Sequence, residues 1–144
     1  MATAPSVFKN SHFLVTWNNL QKKCSEVEGL EILVDIVSYR TGDDKIQNRH
    51  DVPGTAELPN VILRRPLTAD TEFYTWIQSV VTGTYVPTDV IITLLDDSLN
   101  PALKWTLRNA WPCRLSYSPL NADDGTIIYE ELELTHFGLE LVAG

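Results

Sequence analysis

Apolar positions recur in this chain mostly with a period of two, and that period dictates most of what can be expected of it. From His12 to Trp17 the side chains Phe13, Val15 and Trp17 alternate with His12, Leu14 and Thr16, as a strand with one better-buried face requires. Gly29 to Tyr39 carries the nearly continuous β-branched run Leu30, Ile32, Leu33, Val34, Ile36 and Val37, which predicts a strand covered on both faces. A chain of 144 residues has little material for two covers, so another subunit is one source of the second. Further strands are expected at Asn60–Arg65, Asp89–Leu95, Ala102–Asn109, Cys113–Ser118 and Thr126–Val142, the last with a break near Gly138. The segments 96–101 and 118–125 supply the Asp, Asn, Ser, Pro and Gly that turns need.

Only one stretch has helical spacing. Phe73, Trp76, Ile77, Val80 and Val81 fall at i, i+3, i+4, i+7 and i+8, predicting a helix over about 71–82 with one apolar face. Asp70 stands where a cap would, Glu72 suits the first turn, and Gly83 suits the position past the end. Trp76, Trp105 and Trp111 read as packing anchors, in the core or between subunits. The expected fold is mainly β, an antiparallel barrel or sandwich with one packed helix, in a single domain over 1–144 with an N-terminal arm at 1–11.

Between Arg40 and Pro59 the pattern turns polar. Arg40, Gly42, Asp43, Asp44, Lys45, Asn48, Arg49, Asp51, Pro53 and Gly54 crowd one stretch, and Ile46 and Val52 are its main apolar interruptions. The segment reads as a long loop over 40–59, and loops of that length in compact domains usually contact something outside them.

Charge and cysteine content narrow the partners. Eleven Lys and Arg against nineteen Asp and Glu give a net charge of −8, which leaves little for binding a phosphate backbone. Cys24 and Cys113 form no C-x-x-C pair and read as small apolar side chains in a reducing compartment. No basic-then-apolar leader and no apolar run long enough to span a membrane is present, so a cytoplasmically made protein without membrane insertion is expected. His12, His50 and His136 lack metal-ligand spacing, so no metal or cofactor is expected. The paired carboxylates are explained by turns and by opposite strand faces, and no phosphate-loop, dinucleotide or nucleophile-elbow motif occurs. Nothing in the residues marks a catalytic site. Glu131, Glu133 and Thr135 form a polar strand face that is either solvated or intersubunit.

Read in order, several short motifs converge. Glu28-Gly29-Leu30 is followed by Tyr39-Arg40-Thr41-Gly42, then Pro53-Gly54, then Val61-Ile62-Leu63-Arg64-Arg65. Trp76 comes next, then Trp105-Thr106-Leu107-Arg108-Asn109-Ala110-Trp111-Pro112, and last Glu130-Glu131-Leu132-Glu133-Leu134-Thr135-His136. In this order the chain resembles the tail tube protein family of contractile phages and phage-like contractile injection systems, over about 12–142. The resemblance also extends to the ring-forming secreted protein of type VI secretion. It implies hexameric rings stacked into a hollow inner tube within a contractile sheath, with sheath, baseplate and spike proteins as partners and cargo in the lumen. It implies that one sheet of each subunit joins its neighbours around that lumen, and that the 40–59 segment makes the inter-ring contact. Arg64, Arg65, Glu131 and Glu133 then become candidates for the contact between subunits. Two departures stand out: Leu63-Arg64-Arg65-Pro66 ends in a rigid residue where many relatives have glycine, and Asp51-Val52 precedes Pro53-Gly54 where many have a basic residue. The alternatives are a tube-initiating, baseplate-proximal paralogue and a soluble ligand-binding β-barrel adaptor.

Overall fold

The computed structural model describes residues 12–39, 50–123 and 125–144. Strands β1 (His12–Trp17) and β2 (Leu20–Cys24) form a tight hairpin, because Asn18 and Asn19 both take positive φ, 46° and 64°. Asparagine tolerates that conformation, and two such residues make the turn whose twist matches the flanking strands. This hairpin was not expected from the apolar pattern, although the Asn18-Asn19 pair signals it. Ser25 then turns the chain directly into β3 (Glu26–Glu28), its N–H and hydroxyl both donating to the Arg64 carbonyl.

Next come β4 (Leu33–Tyr39) and β5 (His50–Glu57), which among the described strands pair only with each other, then β6 (Val61–Pro66) and the helix α1 (Glu72–Val81). After the helix follow β7 (Thr88–Leu95), β8 (Pro101–Tyr117), β9 (Tyr129–Thr135) and β10 (Gly138–Ala143). Eight strands form one antiparallel sheet in the order β2-β1-β7-β8-β9-β6-β3, with β10 also on β8. The seventeen-residue β8 unites what the pattern divides into strands at 102–109 and 113–118. The Asn-Ala-Trp-Pro segment is therefore a bend in one strand. Asn109 has φ +50° there, and the register shifts between Thr88 and Val90 on the β7 side and between Pro112 and Arg114 on the β9 side. Such bulges bend a strand without ending it. Opposite the bend, β9 gives way to β10 at His136 and Phe137, two residues before the break expected at Gly138.

The core follows the period of two. Val15, Val61, Leu63, Val90, Ile92, Leu107, Leu132 and Leu134 are fully buried from five strands. Helix α1 lies on this core through Phe73 and Trp76, and Trp76 stacks on Trp17 with ring centroids 4.7 Å apart. Its N-cap is Thr71; Asp70, expected there, instead accepts the N–H of Glu72 on its carboxylate at 3.0 Å. Gly83 has φ +79°, the conformation a helix terminus favours. Trp105 and Trp111 are half-buried, Trp105 against the core and Trp111 against Tyr85. Trp76→Ala is expected to lower the unfolding free energy by about 3 kcal/mol, measured by urea denaturation, because it removes a large buried ring and half of a stack.

Two expectations are corrected here. The strand expected to be covered on both faces, β4, is exposed along its whole length in the single chain, and among the described residues only β5 pairs with it. The segment expected as loop is partly strand: Asp51, Pro53 and Gly54 lie in β5, paired with β4. Proline and glycine fit because this ribbon has an outer edge on each strand and a register shift between Val34 and Ile36, opposite Ala56 and Pro53. Arg40, Gly42, Asp43, Asp44, Lys45, Asn48 and Arg49 lie outside the described residues, as does the arm at 1–11.

Candidate assembly surfaces

The β4–β5 ribbon prolongs the β3–β6 pair, which enters it through Gly29 and leaves it through Asn60. Gly29 has φ +92°, and a Cβ on it would stand 2.2 Å from the Asn60 carbonyl oxygen. Only glycine fits so close a crossing of two backbones. Beyond that point the ribbon carries its own small set of contacts. Thr55 donates to Asp35 at 3.1 Å, Ser38 donates to Asp51 at 2.7 Å, and the Tyr39 and His50 rings stack.

Among the described residues nothing covers the ribbon's apolar side chains. Ile36 is 72% exposed, and Ile32, Leu33, Val34, Val37, Tyr39 and Val52 are each at least 40% exposed. A two-stranded ribbon is marginal by itself, and a contiguous apolar patch on one marks a contact surface. A second uncovered feature is β10, which pairs only with β8 among the described strands and exposes Leu141 and Val142. An unpaired strand edge is a template for another strand.

The outer face of β3, β6 and β9 is a ladder of charges. Arg64 donates from Nε to Glu131 at 2.8 Å, makes a second contact to the same carboxylate through Nη2, and reaches Glu26 at 3.1 Å. The side-chain amide of Asn60 donates to Glu133 at 2.8 Å. Arg64, Glu131 and Glu133 thus share one half-exposed face. Arg65, grouped with them in the sequence, lies on the other side of the sheet and is only 5% exposed. It is thus turned toward the interior of the subunit, away from Arg64, Glu131 and Glu133. Its Nε donates to the buried Glu130 at 2.9 Å, its Nη1 to Asp70 at 3.2 Å, and its guanidinium sits 4.0 Å above the Phe73 ring. Lys22 completes the group at 2.8 Å from Asp70. The alternation Glu130, Leu132, Leu134, His136 places Glu130 inside, so its burial was there to be read.

Hydrogen bonding by Lys22 holds the Asp70 carboxyl below its usual range, helped by the Glu72 N–H and Arg65. A carboxylate depressed in this way stabilises the fold at neutral pH, and that stabilisation is lost as pH falls from about 4, the unfolded value, through the lower folded value. Asp70→Asn is expected to flatten the acid limb of stability, read as the urea midpoint across that range.

Neither described cysteine is activated as a nucleophile. Burial pushes the Cys24 thiol up to about 12, and burial with the Glu133 charge raises Cys113, so both remain thiols at neutral pH. A hollow of about 590 Å³ is lined by Phe13, Ser25, Glu26, Val27, Arg64 and Tyr129, with the Ser25 hydroxyl already bonded to a carbonyl. Among the described residues no three His, Cys, Asp or Glu side chains gather as metal ligands, and no helix is long and apolar enough to cross a membrane.

Known structures share this fold. A chain of an extracellular contractile injection system, the PVC sheath-tube complex in its extended state, is 26% identical with a TM-score of 0.80, covering 92% of this chain and 88% of that one. The sheath/tube terminator of the same kind of system is 24% identical with a TM-score of 0.85, covering 98% and 100%. Hcp1 from Flavobacterium johnsoniae is 12% identical with a TM-score of 0.59, covering 93% and 97%. No curated protein sequence matches the chain. The model of the T4-like virus tail tube protein gp19 matches residues 9–140, which include the exposed ribbon, the core strands and the helix; the chain belongs to that family of tail tube proteins.

Proposed function

We propose that this tail tube protein is the inner tube subunit of a contractile injection system and acts by assembly without catalysis. Six copies close a ring, rings stack into a hollow conduit, and a sheath surrounds it. The β4–β5 ribbon, with its exposed apolar side chains, carries this reading. The ribbon, whose apolar side chains stay exposed among the described residues, reaches an adjacent ring and buries them there. Residues 40–49 belong to the same inter-ring contact, and the β10 edge with the Arg64, Glu131 and Glu133 face contributes to contacts around the ring. Sheath and baseplate proteins are the partners, and protein cargo occupies the lumen. The particle is made in the cytoplasm and works outside it.

The likeness to a sheath/tube terminator, at a TM-score of 0.85, favours a second reading in which the subunit ends the tube. Negative-stain electron microscopy with light scattering over a concentration series separates the two. Stacked rings of unlimited length support the main-tube role, single or paired rings support the end role, and a monomer at every concentration overturns both.

A further inference from the structure

His136 is buried at the point where β9 gives way to β10, and both of its ring nitrogens face main-chain carbonyls. Nδ1 lies 3.1 Å from the Gly138 oxygen and Nε2 lies 3.2 Å from the Pro59 oxygen. A carbonyl only accepts. A neutral imidazole has one N–H and would turn a lone pair toward one of the two oxygens, whereas an imidazolium donates to both. The two carbonyls belong to different surfaces. Pro59 stands between the end of β5 and the start of β6, beside the Gly29–Asn60 crossing, and Gly138 opens the β10 edge.

We infer that His136 is a proton-dependent clamp that fixes the base of the β4–β5 ribbon to the first residue of the edge strand β10. Taking up one proton per subunit completes the second hydrogen bond. That sets the ribbon's direction before it meets a partner, and a pre-oriented contact gives up less freedom on association. Assembly is then favoured as pH falls.

Glu133 on β9 accepts from Asn60, and Arg108 on β8 is held by Asp89 of β7 and Glu140 of β10. Glu57 ends β5, and the segment Leu58-Pro59-Asn60 carries no titratable side chain. The acidic net charge also favours assembly at low pH as carboxylates are neutralised. The test therefore compares the chain with His136→Gln, whose amide donates at any pH.

The clamp rests on the tube reading only for its effect on assembly, so it is tested in two steps. In the dilute wild-type chain, nitrogen-15 NMR over a pH series is expected to show two N–H groups on the His136 ring at the acid end and one at the basic end. The amides of Asn60 and Leu139, which share peptide groups with the two accepting carbonyls, are expected to shift in step with the ring. The critical concentration for assembly is then expected to rise about tenfold from the acid to the basic end of that series in the wild type beyond the rise in His136→Gln, the change that one charge-assisted hydrogen bond produces. A ring in one protonation state throughout, or amides that do not follow it, overturns the clamp. Equal pH dependence of assembly in both proteins overturns its coupling to assembly. A normal ring titration in a chain that never assembles overturns the tube reading and leaves the clamp standing.

Discussion

Replacing Val34 and Ile36 together by aspartate is expected to leave the subunit folded and to abolish ring stacking. The two side chains are 52% and 72% exposed in the single chain, so their loss removes little buried surface from it. Surface substitutions of this kind usually change stability by no more than about 0.5 kcal/mol. If the ribbon is the stacking contact proposed above, the same positions become buried in the tube, and each aspartate must then be stripped of water without a partner, at a cost of several kcal/mol. Repeated at every ring junction around the tube, that cost leaves no stacked state. Circular dichroism and a urea midpoint near the wild-type value would establish the fold, and electron microscopy would show the loss of tubes. Tubes of wild-type length would show that the ribbon's apolar surface is not the stacking contact.

The strands legible in the sequence were those whose alternation ends in the core. Val15 and Trp17, and Leu132 and Leu134 opposite the polar Glu131 and Glu133, each lie on the side that the alternation predicts, because burial is what imposes a period of two. The ribbon departs from the pattern. Val34, Ile36 and Val37 resemble a doubly buried strand, yet all three are exposed and among the described residues only β5 pairs with β4, so apolar content alone does not establish burial within the subunit. Its partner β5 was hidden because Pro53 and Gly54 are loop residues in a closed sheet and are tolerated in a two-stranded ribbon with a bulge. The bend in β8 was hidden by the converse rule, since Asn109 and Pro112 look like a turn although flanking strands keep both halves paired. Arg64 and Arg65 show the limit at the candidate site. Adjacent strand residues face opposite sides, so one of them had to point inward, and only the position of Glu130 identifies which.

That inward arginine sets the second large effect. Glu130→Ala is expected to destabilise the subunit by about 3–5 kcal/mol, the usual cost of leaving a buried charge without its partner. Glu130 is 1% exposed and Arg65 5%, so water cannot replace the lost carboxylate. Asp70 still reaches the guanidinium at 3.2 Å, but it is shared with Lys22 and lies on the segment leading into α1, so it offsets only part of the loss. The pair also positions Arg65 over Phe73, through which the helix is held to the sheet, so the damage should spread to the α1 contact and lower cooperativity as well as the midpoint. Replacing both partners, Arg65→Met with Glu130→Leu, separates charge from packing. The double variant removes both buried charges and keeps most of the volume, and it should recover most of the stability that Glu130→Ala loses. If Glu130→Ala unfolds at the wild-type urea concentration, the pair is not what fixes the helix. If instead the double variant is as unstable as the single one, the hydrogen bonds from Arg65 to Asp70 and the stacking on Phe73, rather than the unpaired charge, account for the cost.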